Sequence, residues 1–267
     1  MTEQIPDAAG RALQVARSVL EPAAEGVDRS SAVPRGHLVA LAGAGLWGLA
    51  LGDPAALGAV HEALAGGCGA TTFVWAQHHS PLRLLAASRN EALRQRWLAP
   101  LSVGEQLAGI AFSHLRRRGR PALRAEPAAG GAWSVRGQVP WLSGWGIDSM
   151  FVVGTWLPGD RVLWWALERP DPPGASPGSV QAEAISLSVF SASSTVTLAL
   201  DVVVGETDVL SVEDGEAWRQ RDRLATAAPS RAALGLARRC LELLGAAKGR
   251  AASTASAMLI ELDRLRA

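Results

Sequence analysis

The spacing of apolar residues changes period twice along this chain, and few architectures satisfy that order. From Arg11 to about Leu101 the spacing is helical. Leu13, Ala16, Val19 and Leu20 form a short stripe, and Pro22 predicts that this helix ends nearby, because proline lacks the N–H that would continue the ladder. A second helix is predicted from Ala55 to Leu64, where Leu57, Val60, Ala63 and Leu64 repeat after Asp53 and Pro54, a capping carboxylate followed by a first-turn proline. A third is predicted over Glu91 to Leu98, with Pro100 marking its end.

After Gly104 the period falls to two. Val196, Leu198, Leu200, Val202 and Val204 alternate with Thr197, Ala199, Asp201 and Val203, the pattern of a strand with one buried face. Leu107 to Ser113, Ala132 to Val139, Ser149 to Trp156, Arg161 to Leu167 and Ala182 to Phe190 read the same way. Pro158-Gly159-Asp160 is a hairpin turn between two of them, and Arg169 to Gly178 is a proline-rich surface loop. Trp164 and Trp165 adjoin on one strand, so they point to opposite faces and cannot share a buried layer.

Beyond Asp214 helix returns, with stripes at Leu234, Ala237, Leu241 and Leu244 and at Ala255, Met258, Leu259 and Leu262, and with Pro229 expected to interrupt the first. The expected division is a helical domain over 1–104, a small β-domain over 105–212 and a helical segment over 213–267. With 48% hydrophobic and 19% charged residues among 267, such a chain can bury sizeable cores and is not disordered. A net charge of +1 supplies no overall field toward nucleic acid or an anionic membrane, so neither is an expected partner.

Cys68 and Cys240 have neither the number nor the spacing of a disulfide framework or zinc site, which suits a reducing cytoplasm. The first residues carry acids and do not read as a signal peptide. The longest uncharged apolar run, Leu38 to Gly52, is too short to span a bilayer.

Gly43-Ala44-Gly45-Leu46-Trp47-Gly48 matches a dinucleotide fingerprint, but that motif works between a strand and a long helix, and Asp53-Pro54 interrupts within two turns. A glycine-rich turn between helices is expected instead. His78 and His79 are adjacent and so do not share a helix face, and no third ligand stands near at a metal-site spacing. Arg116, Arg117, Arg118 and Arg120 beside His114 form either an anion site, since arginine forks suit phosphate oxygens, or a solvated loop. Trp141 and Ser143, two residues apart at a strand end, face one side and offer an indole surface and a hydroxyl to a planar ligand.

Four segments in order carry a family resemblance: Leu107 to Ser113, Gly130 to Gly137, Val139-Pro140-Trp141-Leu142-Ser143, and Phe151-Val152-Val153. They resemble the successive β-domain signatures of acyl-CoA dehydrogenases. Val60 to Ala65 and Trp97 to Glu105 resemble the helices that precede them. The resemblance covers nearly the whole chain and implies an α+β fold: an N-terminal helical domain, a middle β-barrel or sandwich domain and a C-terminal helical bundle. It also implies FAD, with Phe112 and Ser113 lining the isoalloxazine, Trp141 packing on it and Ser143 bonding its polar edge. In such enzymes a carboxylate removes the α-proton of an acyl-CoA thioester while the β-hydrogen leaves as hydride to the flavin.

Several departures shape the expectation. Ser113 replaces the usual threonine, and His114-Leu115-Arg116 replaces Glu-Pro, so the loop that helps cover the FAD phosphates is rebuilt with arginines. The Arg-x-x-x-Phe-Gly segment is missing from Gly245 to Arg250, and relative to the family the C-terminal bundle is expected to be shortened, without the helix that carries the catalytic glutamate in many members. A minority place the base in a Glu-Arg pair on the first C-terminal helix. Asp222-Arg223 stands there, either as the base or as a surface acid paired with Arg219 or Arg223. Apolar surface on the last helices is expected to meet another chain, a second copy or a longer relative, and an electron-transfer partner is implied. Two other readings are a flavin monooxygenase of the same fold and an inactive structural subunit beside a full-length paralogue.

Overall fold

The computed structural model describes residues 7–170, 178–227, 230–246 and 250–266. Asp7 caps the first helix, accepting from Gly10 N at 2.7 Å. Helix α1 (Ala8–Val15) passes through a π-helical turn, Ala16–Leu20, into α2 (Glu21–Asp28). The predicted end near Pro22 is therefore corrected: Pro22 sits in the first turn of α2. The widened turn ahead of it, closed by Glu21 N on Ala16 O, relieves the clash a proline ring makes with the carbonyl four residues back.

Helices α3 (Arg35–Gly43) and α4 (Leu49–Gly52) flank the glycine hexad, a turn in which Gly45 takes φ 65°. Asp53 accepts from Ala56 N at 3.3 Å and opens α5 (Leu57–Gly67) through a short 3-10 turn, as its sequence predicts. The long α6 (Gly69–Ala87) is followed by α7 (Glu91–Val103). Pro100 does not end α7. The stop is Gly104, left-handed at φ 78°, where the amides of Gly104 and Glu105 close on the carbonyls of Leu101 and Pro100.

Strands β1 (Ala108–Ala111), β2 (Leu123–Pro127), β3 (Trp133–Leu142), β4 (Met150–Leu157), β5 (Arg161–Glu168), β6 (Gly178–Ala184), β7 (Val196–Val204) and β8 (Val209–Asp214) form one mixed sheet. Its order is β6-β7-β3-β2-β4-β5-β8, with β1 parallel to β4. β7 has the predicted bounds. The segment predicted over Ala182 to Phe190 lies earlier, as β6, because the chain beyond it turns through left-handed Phe190 and Ser194. β2 and β8 were not predicted. Pro158-Gly159-Asp160 makes the β4–β5 hairpin, with positive φ at Gly159 and Asp160. In the loop predicted over Arg169 to Gly178, residues 171–177 lie outside the described residues.

The adjacent tryptophans explain how the layers meet. Both are buried, on opposite faces. Trp165 joins Val135, Phe151, Leu163 and Leu198 in the core of one sheet face, its indole N–H donating to Thr155 Oγ1 at 2.9 Å. Trp164 faces Leu82, Leu85, Trp97 and Trp218 in the core between sheet and helices.

Helices α8 (Gly215–Ala227), α9 (Arg231–Gly245) and α10 (Arg250–Arg266) complete the fold, and the predicted interruption at Pro229 lies outside the described residues. α9 approaches α5 closely, since a Cβ at Gly235 would overlap the Glu62 carbonyl. Of the predicted stripes Leu234, Leu241 and Ala255 are buried, whereas Leu244 and Met258 are half exposed. Among the described residues no helix is long and apolar enough to cross a membrane.

Candidate functional site

The site begins where β1 ends. Phe112, at φ −147° and ψ −11°, turns the chain into a 3-10 turn, Ser113–Arg116. His114 anchors that turn: its ring is buried and Nε2 donates to the Gly154 carbonyl at 2.7 Å. Burial lowers its pKa to about 4, so the ring is neutral at pH 7. An anchored His114 sends Arg116 out toward α8. There Nε and Nη2 of Arg116 donate to the two oxygens of Asp222, each at 2.7 Å, and the guanidinium also lies 4.9 Å from the Phe112 ring centre.

Asp222 is thus an acid with a partner, but the partner is neither Arg219 nor Arg223. Arg219 turns to Asp160 and Glu216, and Arg223 donates to Glu216 at 2.7 Å. Asp222 instead reaches across 106 residues of sequence to the arginine loop.

Two cavities share this pair as a wall. One, about 660 Å³, lies between α6, the end of β1 and α8 and is lined by Leu84, Ile110, Phe112, Trp164 and Leu224, with Arg83, Arg116, Glu213, Arg221 and Asp222 as its charged groups. The other, about 730 Å³, is lined by Arg117, Arg118, Arg219 and Arg223, again with Arg116 and Asp222. Phe112 and Asp222, predicted separately, therefore meet on one cavity.

Trp141 lies on β3, which runs beside β1 and the Ser113–Arg116 turn, and Ser143 follows one residue past its end. They do not share a face. Trp141 is 51% exposed, while Ser143 is 8% exposed and hydrogen-bonds Thr195 Oγ1 at 2.8 Å, in a hydroxyl chain that continues to Ser193 at 2.7 Å. The sheet register slips between Val139 and Leu142, and that irregularity breaks the alternation on which the expectation rested. Ser113 is exposed.

Behind these residues the backbone closes around Asp148. A Cβ on Gly144 would overlap Asp148 Oδ2, and one on Gly109 would stand 2.7 Å from it. Asp148 is buried, and desolvation raises its carboxyl well above the ordinary range, with Arg169 opposing.

A helical layer, a mixed sheet and closing helices in this order, with a cavity among α6, β1 and α8, define the acyl-CoA dehydrogenase fold. Residues 3–105 match the family model described as acyl-CoA dehydrogenase, N-terminal domain, so the resemblance read from the sequence is met there, and the chain as a whole carries that family's fold. Butyryl-CoA dehydrogenase from Megasphaera elsdenii superposes with a TM-score of 0.78 at 17% identity, covering 100% of this chain and 78% of that one. A glutaryl-coenzyme A dehydrogenase in complex with glutaryl-CoA gives 0.80 at 19% identity, covering 100% and 76%. The Mycobacterium smegmatis glutaryl-CoA dehydrogenase in complex with FADH2 gives 0.75 at 18% identity, covering 97% and 72%. No curated protein matches the sequence.

Sequence reasoning missed Arg116 as the group that holds Asp222. The arginine run was visible, but no local pattern links it to α8. It also missed His78 as a tie between α6, α7 and β1.

Proposed function

We propose that this protein is a flavin-dependent oxidoreductase of the acyl-CoA dehydrogenase type, with FAD as cofactor and an acyl-CoA thioester as substrate. The observation that carries this reading is the cavity between α6, β1 and α8, where Phe112 at the end of the first β signature and Asp222 on the first C-terminal helix stand together. The residues present suit a flavin: a half-exposed indole at Trp141 and an exposed hydroxyl at Ser113, on neighbouring elements, match a planar ring with a polar edge. Phe112, Ser113, Trp141 and Ser143 would hold it. Ser143 already bonds Thr195, but a hydroxyl has one donor and two acceptor sites, so a further partner is accommodated.

When bound, a flavin supplies a two-electron acceptor for hydride. The chain's own part is alignment and proton transfer. Asp222 accepts the α-proton, which the thioester carbonyl acidifies. A carboxylate offers about four lone-pair sites, and Arg116 occupies two, so the base is oriented without being exhausted. Phe112, Ile110 and Trp164 give the α6–β1–α8 cavity an apolar wall for an acyl chain. With this activity go a cytoplasmic location, a partner that takes electrons onward, and assembly with a second chain.

The test is a visible absorption spectrum of the purified protein, then anaerobic bleaching by acyl-CoA in wild type and Asp222→Asn. The reading expects a yellow protein bleached by substrate, and bleaching slowed by orders of magnitude in the variant while flavin stays bound. A colourless protein that binds no FAD in titration would end the reading. Equal bleaching rates would remove Asp222 as the base.

A further inference from the structure

We infer that Asp148 is a positioning residue for the β-domain side of the site: a neutral carboxylic acid that clamps the turn after Ser143 onto β1 and releases it on ionising. The turn leaves β3 at Leu142 and re-enters the sheet at Met150. Within it Gly144 and Gly146 both stand at φ 88°, and the amides of Ile147 and Asp148 close on the Gly144 carbonyl, each at 2.8 Å. One side is pinned to the chain ahead of β7, Gly144 N to Ser193 O at 2.8 Å and Trp145 N to Ser194 O at 3.0 Å. The far end is pinned to the residue before β1, Ser149 N to Leu107 O at 2.9 Å. Asp148 Oδ2 stands between the segments so joined: a Cβ would come within 2.0 Å of it from Gly144 and 2.7 Å from Gly109 of β1. Glycine at both positions is the room made for this carboxyl.

What surrounds that oxygen suits the neutral acid. Asp148 is 2% exposed, and among the described residues no donor reaches Oδ2. A carboxylate there would forfeit its hydration with no hydrogen bond in exchange, so burial raises the carboxyl well above the ordinary range. Arg169 opposes the rise, but its Nε donates to the main-chain carbonyl of Asp148 at 3.0 Å rather than to the carboxyl. Other ionisable groups on the packed elements are committed elsewhere: Glu168 of β5 pairs with Arg96, and both ring nitrogens of His78 on α6 are held by Ala108 N and Leu101 O. β1 and residues 143–147 carry no ionisable side chain. Once ionised, Asp148 gains by moving toward water, and the glycines of the turn let the backbone follow. Ser143 directly precedes this turn and Phe112 directly follows β1, so release parts the two segments on which a flavin would rest. That last step rests on the function proposed above; the clamp does not.

An alkaline titration is a clean test, because the chain has no tyrosine and Lys248 is its single lysine. The purified full chain, labelled with carbon-13 aspartate, is titrated upward from pH 7. Infrared absorption follows the C=O band of a protonated carboxyl, and near-ultraviolet circular dichroism follows the packing of the tryptophans. A labelled carboxylic-acid band should be present at pH 7 and vanish in step with the dichroism change. Asp148→Asn keeps the shape and cannot ionise, so it should lack the band and carry the dichroism change upward by about one pH unit or more. In the wild type, FAD affinity should fall with the closed fraction, about tenfold where nine clamps in ten are open, and it should stay level in the variant. Absence of the band at pH 7, or either signal changing without the other, would overturn the clamp even should the asparagine variant fail to fold. So would the same alkaline change in a normally folded Asp148→Asn. Equal FAD affinity on both sides of the transition would overturn the positioning role. A protein that binds FAD at no pH ends the flavin reading instead, and the band and the dichroism still decide the clamp.

Discussion

His78 Nδ1 accepts the amide proton of Ala108 at 3.1 Å, and its Nε2 donates to the Leu101 carbonyl at the same distance. One ring therefore ties α6 to the last turns of α7 and to the first residue of β1, the strand that leads to Phe112. Because an amide can only donate, the tautomer is fixed with its proton on Nε2. Protonating Nδ1 would set N–H against N–H, and burial already lowers the pKa to about 4.

Acid should therefore unfold this protein through its histidines. Burial lowers His78 and His114 to about 4 and His79 to about 3, the last also opposed by the charges of His78, Arg83 and His61. The unfolded chain takes up these protons near pH 6.5 and the folded chain does not, so their contribution is complete above 6.5 and lost as pH falls from there toward 4. His78 and His114 can each account for about 3 kcal/mol over that window. Asp148 works in the opposite sense: its raised carboxyl adds stability at low pH that disappears as pH rises above the ordinary carboxylate range. Urea unfolding at pH 7.5, 6 and 5 should show falling midpoints. His79→Phe should shrink the fall without cost at pH 7.5, because neither ring nitrogen of His79 has a partner among the described residues. An unaltered acid limb in that variant would exclude His79.

Legibility followed local pattern and stopped where pairing was remote. β7 could be read because Val196 to Val204 alternates over nine residues. β2 could not, since Leu123–Pro127 has only Leu123 and Ala125 buried, among Arg124, Glu126 and a proline. The two prolines misplaced helix ends because a π turn and a left-handed glycine, rather than the imino ring, decide where those helices change. The order of layers was within reach of the signatures, which pointed to Phe112 and to Asp222 one at a time and not to their meeting on one cavity. The Arg116 contact was out of reach, because a surface arginine has several acids to choose from and only the folded distance decides.

Gly144→Ala should destabilise the protein more than Gly146→Ala. Both glycines have φ 88°, so each alanine meets the left-handed penalty of about 1 kcal/mol. Only at Gly144 would the new methyl overlap Asp148 Oδ2; around Gly146 there is open space. The difference between the two urea midpoints measures the steric part, expected at about 2 kcal/mol or more. Equal losses would mean that the turn around Asp148 can relax.

Trp141 and Ser143 should separate in their effects. The half-exposed indole contributes little to the core, so Trp141→Ala should leave the melting temperature within a few degrees, roughly the scale of a surface change, while weakening FAD binding about tenfold or more. Ser143→Ala removes a buried bond to Thr195 and should cost about 1 kcal/mol of stability. FAD titration by fluorescence quenching, beside thermal melting, checks both. Flavin affinity unchanged in a normally folded Trp141→Ala would remove Trp141 from the flavin site.

Assembly should depend on the outer faces of α9 and α10 rather than on their shared seam. Leu241 is 7% exposed and packs within the protomer, so Leu241→Glu buries an unpaired carboxylate and tests folding, not association. Leu243, Leu244, Met258 and Ile260 are 58%, 51%, 53% and 59% exposed on two helices packed together, so apolar side chains of both helices stand open to another chain. A second copy could cover them. Leu244→Glu with Ile260→Glu should leave circular dichroism and melting essentially unchanged, because both side chains already meet water, yet lower the sedimentation coefficient at micromolar concentration. Should the wild type sediment as a monomer across that range, the faces do not join two copies. Should the double variant sediment as wild type does, assembly runs through another surface.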